Sequence, residues 1–319
     1  MSGYESFESP AGPPSPDYIH FFRRNGGCRH VTLGGTFEER RPVAIERNTS
    51  TNTSAEAYEG DRIADETVLS EEKSVSRRGD VVLRPSGPWT PSVHAFLNHL
   101  RQAGFEEAPR PAGSGFAPDG REAVYYVEGE FVHPGPWSDE ALIAVGSLLR
   151  RLHDASASFV PAPDAVWKPW FLRELGGPNR VIGHGDAAPW NTVTRNGMPV
   201  ALIDWEYAGP VDPIVELARV CWLFPQLHDD DVAERVGLPP LSVRARQLRL
   251  LVDAYGASAE QRGALFERIV EVVVRETAEE AIDRQVAPDS VGPLWGFAWR
   301  ARSAAWMLRN RAVLERALR

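Results

Sequence analysis

Cysteine is almost absent from this 319-residue chain: Cys28 and Cys221 are the only two, far apart in sequence. That spacing excludes a disulfide scaffold and predicts a reducing compartment, the cytoplasm. No apolar run approaches the ~20 residues that span a bilayer. The opening residues Met1-Ser2-Gly3-Tyr4-Glu5 have neither the basic nor the apolar region of a secretory signal, so no membrane partner is expected. Lysine is as scarce as cysteine, Lys73 and Lys168 alone among many arginines, which reads first as a composition bias of the whole chain. A net charge of −9 argues against a nucleic-acid partner and mildly favours cationic ligands. Several catalytic fingerprints are missing too. There is no G-x-x-x-x-G-K-[ST] loop and no G-x-S-x-G elbow, and Gly113-Ser114-Gly115 lacks the later glycine of a dinucleotide site. Cys28 and His30 have no partners at zinc spacing. What is present, 43% hydrophobic and 25% charged residues, is ordinary for a globular protein with one large or one two-lobed domain.

Residues 1–65 read as an extension, disordered or loosely docked. Pro10-Ala11-Gly12-Pro13-Pro14-Ser15-Pro16 is linker-like, and residues 48–54 form a polar tract. Strands are predicted at Val68-Leu69 and at 80–84, joined by residues 70–79, and again at 123–127. A helix stands between them, with Thr90 as N-cap, Pro91 in its first position, Val93, Phe96, Leu97 and Leu100 as its apolar face, and Gly104 at its end. From residue 131 the pattern is mainly helical. Ser138-Asp139-Glu140 and Asp212-Pro213 each start a helix, and further helices are predicted over 244–255, 265–284 and 294–318. His153 and the tryptophans 295, 299 and 306 fall on helical faces and read as core.

Val181-Ile182-Gly183-His184-Gly185-Asp186, with Asn191 and then Ile203-Asp204-Trp205-Glu206, interrupts the helices. Between the two blocks lies Asn196-Gly197, the strongest short signal for a two-residue hairpin turn. A hairpin closed there sets Asn191 opposite Leu202 and Asp204 opposite Pro189, so Asn191 and Asp204 meet at its open end with Asp186 beside them. Phosphoryl transfer needs that equipment: one carboxylate to orient a hydroxyl, and hard oxygen ligands for Mg²⁺. Asp186 suits the first role, and Asn191 and Asp204 the second. His184 reads as an orienting loop residue and Asp212 as a helix cap. Glu206 either attracts a cationic substrate or is merely solvated.

These motifs, together with Gly209-Pro210, Asp212-Pro213 and Glu216-Leu217-Ala218, resemble those of the aminoglycoside phosphotransferase and choline kinase-like family. The resemblance covers roughly residues 67–319 and is strongest over 181–218. It implies an α+β, two-lobed protein-kinase-like fold, with a small β-rich N-lobe over 66–130 that binds nucleotide and a larger, mainly helical C-lobe over 131–319. It also implies an enzyme that moves the γ-phosphoryl of ATP or GTP to a hydroxyl of a small molecule, an aminoglycoside, amino alcohol or related metabolite. Asp186 would then be the catalytic aspartate, Asn191 and Asp204 the Mg²⁺ ligands, and Tyr126 and Val127 part of the hinge that receives the base. Arg84 stands where such folds usually carry a lysine, and the helix after it offers His94 but no glutamate. The loop that would cover the phosphates, residues 70–76, has no glycine, and Lys73 is its one cation. Two other readings remain: a kinase-fold protein that binds nucleotide or ligand without turnover, and a metal-assisted hydrolase using Asp186 and Asp204.

Overall fold

A computed structural model describes residues 66–71, 73–292 and 294–319. The extension expected over residues 1–65 lies outside them. A five-stranded antiparallel sheet comes first, in the order β1 (Glu66–Ser70), β2 (Val75–Arg78), β3 (Val81–Arg84), β5 (Glu122–Tyr125), β4 (Pro111–Phe116). Helix α1 (Thr90–Gln102) connects β3 to β4. Three departures from the sequence reading are found here. Residues 70–79 are not one loop but a tight turn, the strand β2 and a second turn, and Ser74 and Gly79 take positive φ at those turns. The irregular strand β4, Pro-Ala-Gly-Ser-Gly-Phe, carries no apolar alternation to announce it. Thr90 is the first helical residue of α1 rather than its cap, because its hydroxyl accepts the Gly87 N–H at 2.9 Å while Trp89 holds the cap position.

The remainder is helical around a small β insertion. α2 (Asp139–Ser156) is capped by Ser138, whose hydroxyl accepts the Ala141 N–H at 3.1 Å. β6 (Val181–Gly183) pairs with β9 (Gly209–Val211), and β7 (Thr192–Arg195) with β8 (Met198–Leu202). Then follow α3 (Pro213–Leu223), the short α4 (Asp230–Arg235), α5 (Leu241–Tyr255), α6 (Ala259–Asp283), α7 (Trp295–Arg309) and α8 (Arg311–Leu318). α4 is too short for its periodicity to show in sequence, and the helix expected over 294–318 is two helices that break at Asn310. α2 packs on α5, α3 on α6 and α6 on α7.

One apolar core joins both parts. Phe96 and Leu100 of α1 are buried in the same cluster as Leu142, Leu149, Trp205 and Leu217. Glu130 and Thr194 exchange backbone hydrogen bonds at 2.8 Å, tying the segment after β5 to the hairpin. Trp299 and Trp306 are buried, as expected of core residues. Among the described residues no helix is long and apolar enough to cross a membrane.

Candidate active site

The hairpin closes at Asn196-Gly197, both with positive φ as a mirror-image turn requires. Near the turn the register is the expected one, Thr194 opposite Pro199, but beyond it Val193 faces Ala201 and Thr192 faces Leu202. Val200 is an extra residue on β8 that has no opposite number. Pro199 cannot donate to a ladder, and such a residue sits most easily at a bulge. Asn191 therefore meets Ile203 rather than Leu202, and its carbonyl accepts the Ile203 N–H at 2.8 Å. The offset carries Asp204 beyond the paired strands, where it adopts a left-handed backbone at φ 66°, ψ 61°.

The loop before the hairpin is held from below. His184 is fully buried; its Nε2 donates to the Ile203 carbonyl at 3.0 Å and its Nδ1 accepts the Asp186 N–H at 3.2 Å. An accepting Nδ1 requires a neutral ring, and burial lowers the imidazole pKa to about 4. Glu216 accepts the Gly185 N–H at 2.6 Å and is bonded by His153 Nε2 at 2.8 Å, so His153 is a buried brace rather than inert packing. Gly185 has φ +79°, and a Cβ there would stand 2.2 Å from the Tyr207 carbonyl oxygen. Asp212 caps α3 through Ile214, as expected, and its other oxygen accepts the Gly177 N–H at 2.6 Å.

Asp186 and Asn191 are in contact. Asn191 Nδ2 donates to Asp186 Oδ2 at 2.8 Å and to its carbonyl at 2.9 Å, which leaves the amide oxygen as an acceptor. The other carboxylate oxygen, Oδ1, lies 2.8 Å from Arg219 Nη2. Arg219 in turn holds Glu276 at 2.8 Å, and Arg300 and Glu280 extend the chain of buried charges into α7 and α6. Burial lifts the Asp186 carboxyl to about 6; Arg219 opposes the rise, and Asp204 and Glu276 add to it.

Asp204 is gripped from the sheet. Its Oδ1 accepts Arg84 Nη1 at 2.6 Å and its Oδ2 accepts Lys73 Nζ at 2.7 Å. Burial works against ionisation, yet these two cations hold its carboxyl at about 2. Arg84 also donates through Nε to Glu122, its register partner on β5. His94 of α1 bonds the other Glu122 oxygen at 2.9 Å. The partner for Arg84 thus comes from a strand, which is why the helix needs no glutamate. Gly115 makes room for the His94 ring, because a Cβ there would lie 2.4 Å from His94 Nδ1.

Between sheet and hairpin runs an open cleft. Val82, Val124, Phe131 and Val193 give it apolar walls, and Ser70, Lys73, Arg84, Asn191 and Asp204 form a polar end. Tyr126 and Val127 line it as well, although the Tyr126 N–H already donates to the Asp80 carbonyl at 2.8 Å. Lys73, Arg84, Tyr126, Val127, Asn191 and Asp204, singled out from sequence, therefore share one cavity, with Asp186 bonded at its edge. Glu206 does not line it. Its carboxylate is 2.8 Å from Lys168 Nζ, so it is neither simply solvated nor an open site for a cation. The sequence reading missed Glu122, Arg219, Glu276 and Lys168. Only Lys168 had a signal, its rarity; the others are ordinary charges whose partners are far away in sequence.

A model described as "Phosphotransferase enzyme family" (APH) matches residues 164–266. The chain is 53% identical over 247 residues to the trifolitoxin immunity protein of Rhizobium leguminosarum bv. trifolii, covering 77% of this chain and 95% of that protein. Among solved structures, an amicoumacin kinase in complex with AMP-PNP and Ca²⁺ superposes with a TM-score of 0.52 at 13% identity, covering 78% of this chain and 84% of that one. A microcompartment-associated aminopropanol kinase also gives 0.52, at 12% identity, covering 81% and 95%. The small antiparallel sheet lobe and the larger helical part are the two-lobed kinase-like arrangement.

Proposed function

The chain belongs to the phosphotransferase enzyme family, and on that premise we propose that it transfers the γ-phosphoryl of ATP or GTP to a hydroxyl of a small molecule. The observation that carries this reading is the meeting of Asp186, hydrogen-bonded to Asn191, with a cleft whose polar end holds Lys73, Arg84 and Asp204. The base would lie against Val82 and Val124 near Tyr126 and Val127, and the phosphates would reach Arg84 and Lys73. Asp186, its carboxyl at about 6, is ionised at neutral pH and basic enough to take the acceptor's proton. The acceptor oxygen then bonds to the γ-phosphorus, and the bridging bond to the β-phosphate breaks with its electrons leaving on the nucleoside diphosphate. The N-lobe over 66–130 supplies the nucleotide grip and the C-lobe over 131–319 the catalytic loop.

Mg²⁺ fits the donors present. Asn191 offers an amide oxygen, Asp204 an ionised carboxylate, and such ions commonly take one or two protein oxygens along with substrate phosphates and water. When bound, the ion would neutralise charge on the phosphates. A nucleotide co-substrate and two cysteines far apart in sequence support a cytoplasmic setting.

The toxin immunity named for the Rhizobium relative directs the acceptor search to toxins. A phosphate adds about −1.5 to −2 charges to its target, enough to spoil a fitted contact elsewhere. A cationic acceptor, the expectation drawn from Glu206, would compete with Lys168 for that carboxylate. A second reading, binding without turnover, is favoured by one observation: both oxygens of Asp204 are already bonded to cations. Mg²⁺-dependent consumption of ATP and GTP across amino sugars, amino alcohols, nucleosides and toxins separates the two. Asp186→Ala is expected to lower turnover by about 10²- to 10⁴-fold. Turnover unchanged in Asp186→Ala refutes the mechanism, and tight nucleotide binding without transfer to any acceptor supports the second reading.

A further inference from the structure

The two lysines of this arginine-rich chain are each paired with a carboxylate of the Asp204-Trp205-Glu206 segment, Lys73 in the cleft and Lys168 outside its lining. Lys73 is explained by the phosphate end of the cleft; Lys168 is not. Its ammonium is 2.8 Å from Glu206 Oε2, 4.2 Å from the centroid of the Tyr207 ring and 5.1 Å from that of Trp89. One carboxylate and two aromatic rings make the surroundings that bind alkylammonium ions. The frame is pinned to the catalytic loop. Trp170 donates its indole N–H to the Gly185 carbonyl at 2.8 Å and packs on Tyr207 at 4.3 Å. Arg173 donates to the carbonyls of Lys168, Tyr207 and Ala208, locking the two backbone segments together.

We propose that Lys168 is the built-in occupant of an ammonium site beside Asp186, and that it closes this site to cationic acceptors. The acceptor then carries no ammonium where it meets Glu206 and Tyr207. This rests on the phosphotransferase reading for the statement that an acceptor lies there; the site itself does not depend on it. Three arguments support the assignment. Lysine carries a compact point charge on a flexible stem, and here that charge meets one carboxylate and two rings at once. The charge of Glu206, the one residue singled out in the sequence as attracting a cationic substrate, is already met. Finally, a tethered ammonium acts at an effective concentration of millimolar or above, so a free amine at lower concentration does not displace it.

Removing the lysine side chain should therefore create a receptor for free ammonium ions. The test is calorimetric titration of tetramethylammonium and ethanolamine into nucleotide-free wild type, Lys168→Ala, Lys168→Met and the double variant Lys168→Ala/Glu206→Gln. Both single variants are expected to bind at least one probe about tenfold or more tightly than wild type, a difference of about 1.4 kcal/mol. The double variant is expected to lose that gain. Equal affinity in wild type and the single variants overturns the proposal. So does the absence of binding in single variants that retain cooperative thermal unfolding and nucleotide binding, and the methionine variant, which keeps the apolar stem, guards against simple collapse of the cage. Binding is read without phosphoryl transfer, so an inactive enzyme and a wrong assignment of Lys168 give different results.

Discussion

Replacing Arg219 with methionine takes away the cation that two buried carboxylates share. Arg219 lies 2.8 Å from Asp186 Oδ1 and 2.8 Å from Glu276 Oε2, and its side chain is only 3% exposed. Glu276 keeps Arg300, whose Nε is at 3.4 Å, but Asp186 keeps the neutral amide of Asn191 in contact and the charge of Lys73 at a distance. Breaking a buried ion pair from one side costs about 3–5 kcal/mol. A Coulomb estimate agrees: two charges roughly 4 Å apart at an effective dielectric constant near 20 interact by about 4 kcal/mol. Part of that energy appears as basicity, because each 1.4 kcal/mol or so of lost anion stabilisation moves a titration by about one pH unit.

Asp186 titrates at about 6 in the folded protein, above the ordinary aspartate range, so the fold favours its protonated form. The stability this contributes is full below the unfolded pKa of 3.8 and is lost as pH rises through about 6. Catalysis by the proposed mechanism has the opposite slope, since the ionised form would be the base: kcat should fall as pH drops through about 6. In Arg219→Met both changes move to higher pH. The destabilisation should be greatest at pH 8 and smaller at pH 5, where Asp186 is protonated. Urea unfolding at both pH values and kcat from pH 5 to 9 measure this. Adding Glu276→Gln should restore part of the stability without returning the acid limb of kcat to its original position. A destabilisation below about 1 kcal/mol at pH 8, or an unmoved acid limb, would refute the assignment of Arg219 as the counter-ion of the catalytic base.

Glu122→Gln leaves Arg84 held by Asp204 alone and weakens the His94 contact; nucleotide KM should rise about tenfold, the scale of one charge-assisted hydrogen bond, with a smaller change in kcat. Gly185→Ala sets a Cβ 2.2 Å from the Tyr207 carbonyl at a backbone φ of +79°. Asp186 should shift with its loop and kcat fall about 10²-fold while nucleotide affinity, measured by titration, holds.

What could be read from the sequence was what is local. Asn196-Gly197 announces the hairpin, Asp212-Pro213 the start of α3, and the apolar spacing of α1 and α2 their buried faces. These signals depend on neighbours within a turn or two. β4 and β9 escaped because Gly, Pro and Ser fill them; their order comes from pairing with β5 and β6. The hairpin shows the limit most clearly, since a single bulged residue moves Asn191 from Leu202 to Ile203. The candidate site divides the same way. Asp186, Asn191 and Asp204 stand in recognisable motifs, but Glu276 meets Arg219 across 57 positions and Glu122 meets Arg84 across 38, with nothing local to mark either pairing.

The arginine at position 84 becomes intelligible from those distant partners. Its Nε is bonded to Glu122 while its Nη1 is bonded to Asp204 Oδ1, so one planar fork joins the sheet to the hairpin. A lysine ammonium reaches Asp204 or Glu122 but does not present two directed donors on separate nitrogens. Substituting arginine here moves the partner carboxylate from helix to strand, and His94 then ties the helix to that same carboxylate. The arrangement also couples the two ligands proposed for the cleft. With its carboxyl at about 2, Asp204 stays ionised at physiological pH, so protonation cannot release Arg84 and Lys73 from it. On the proposed reading, a cation that meets the charge of Asp204 would free them to turn towards phosphate. If nucleotide and Mg²⁺ bind as proposed, each is expected to strengthen the other's binding by the same factor.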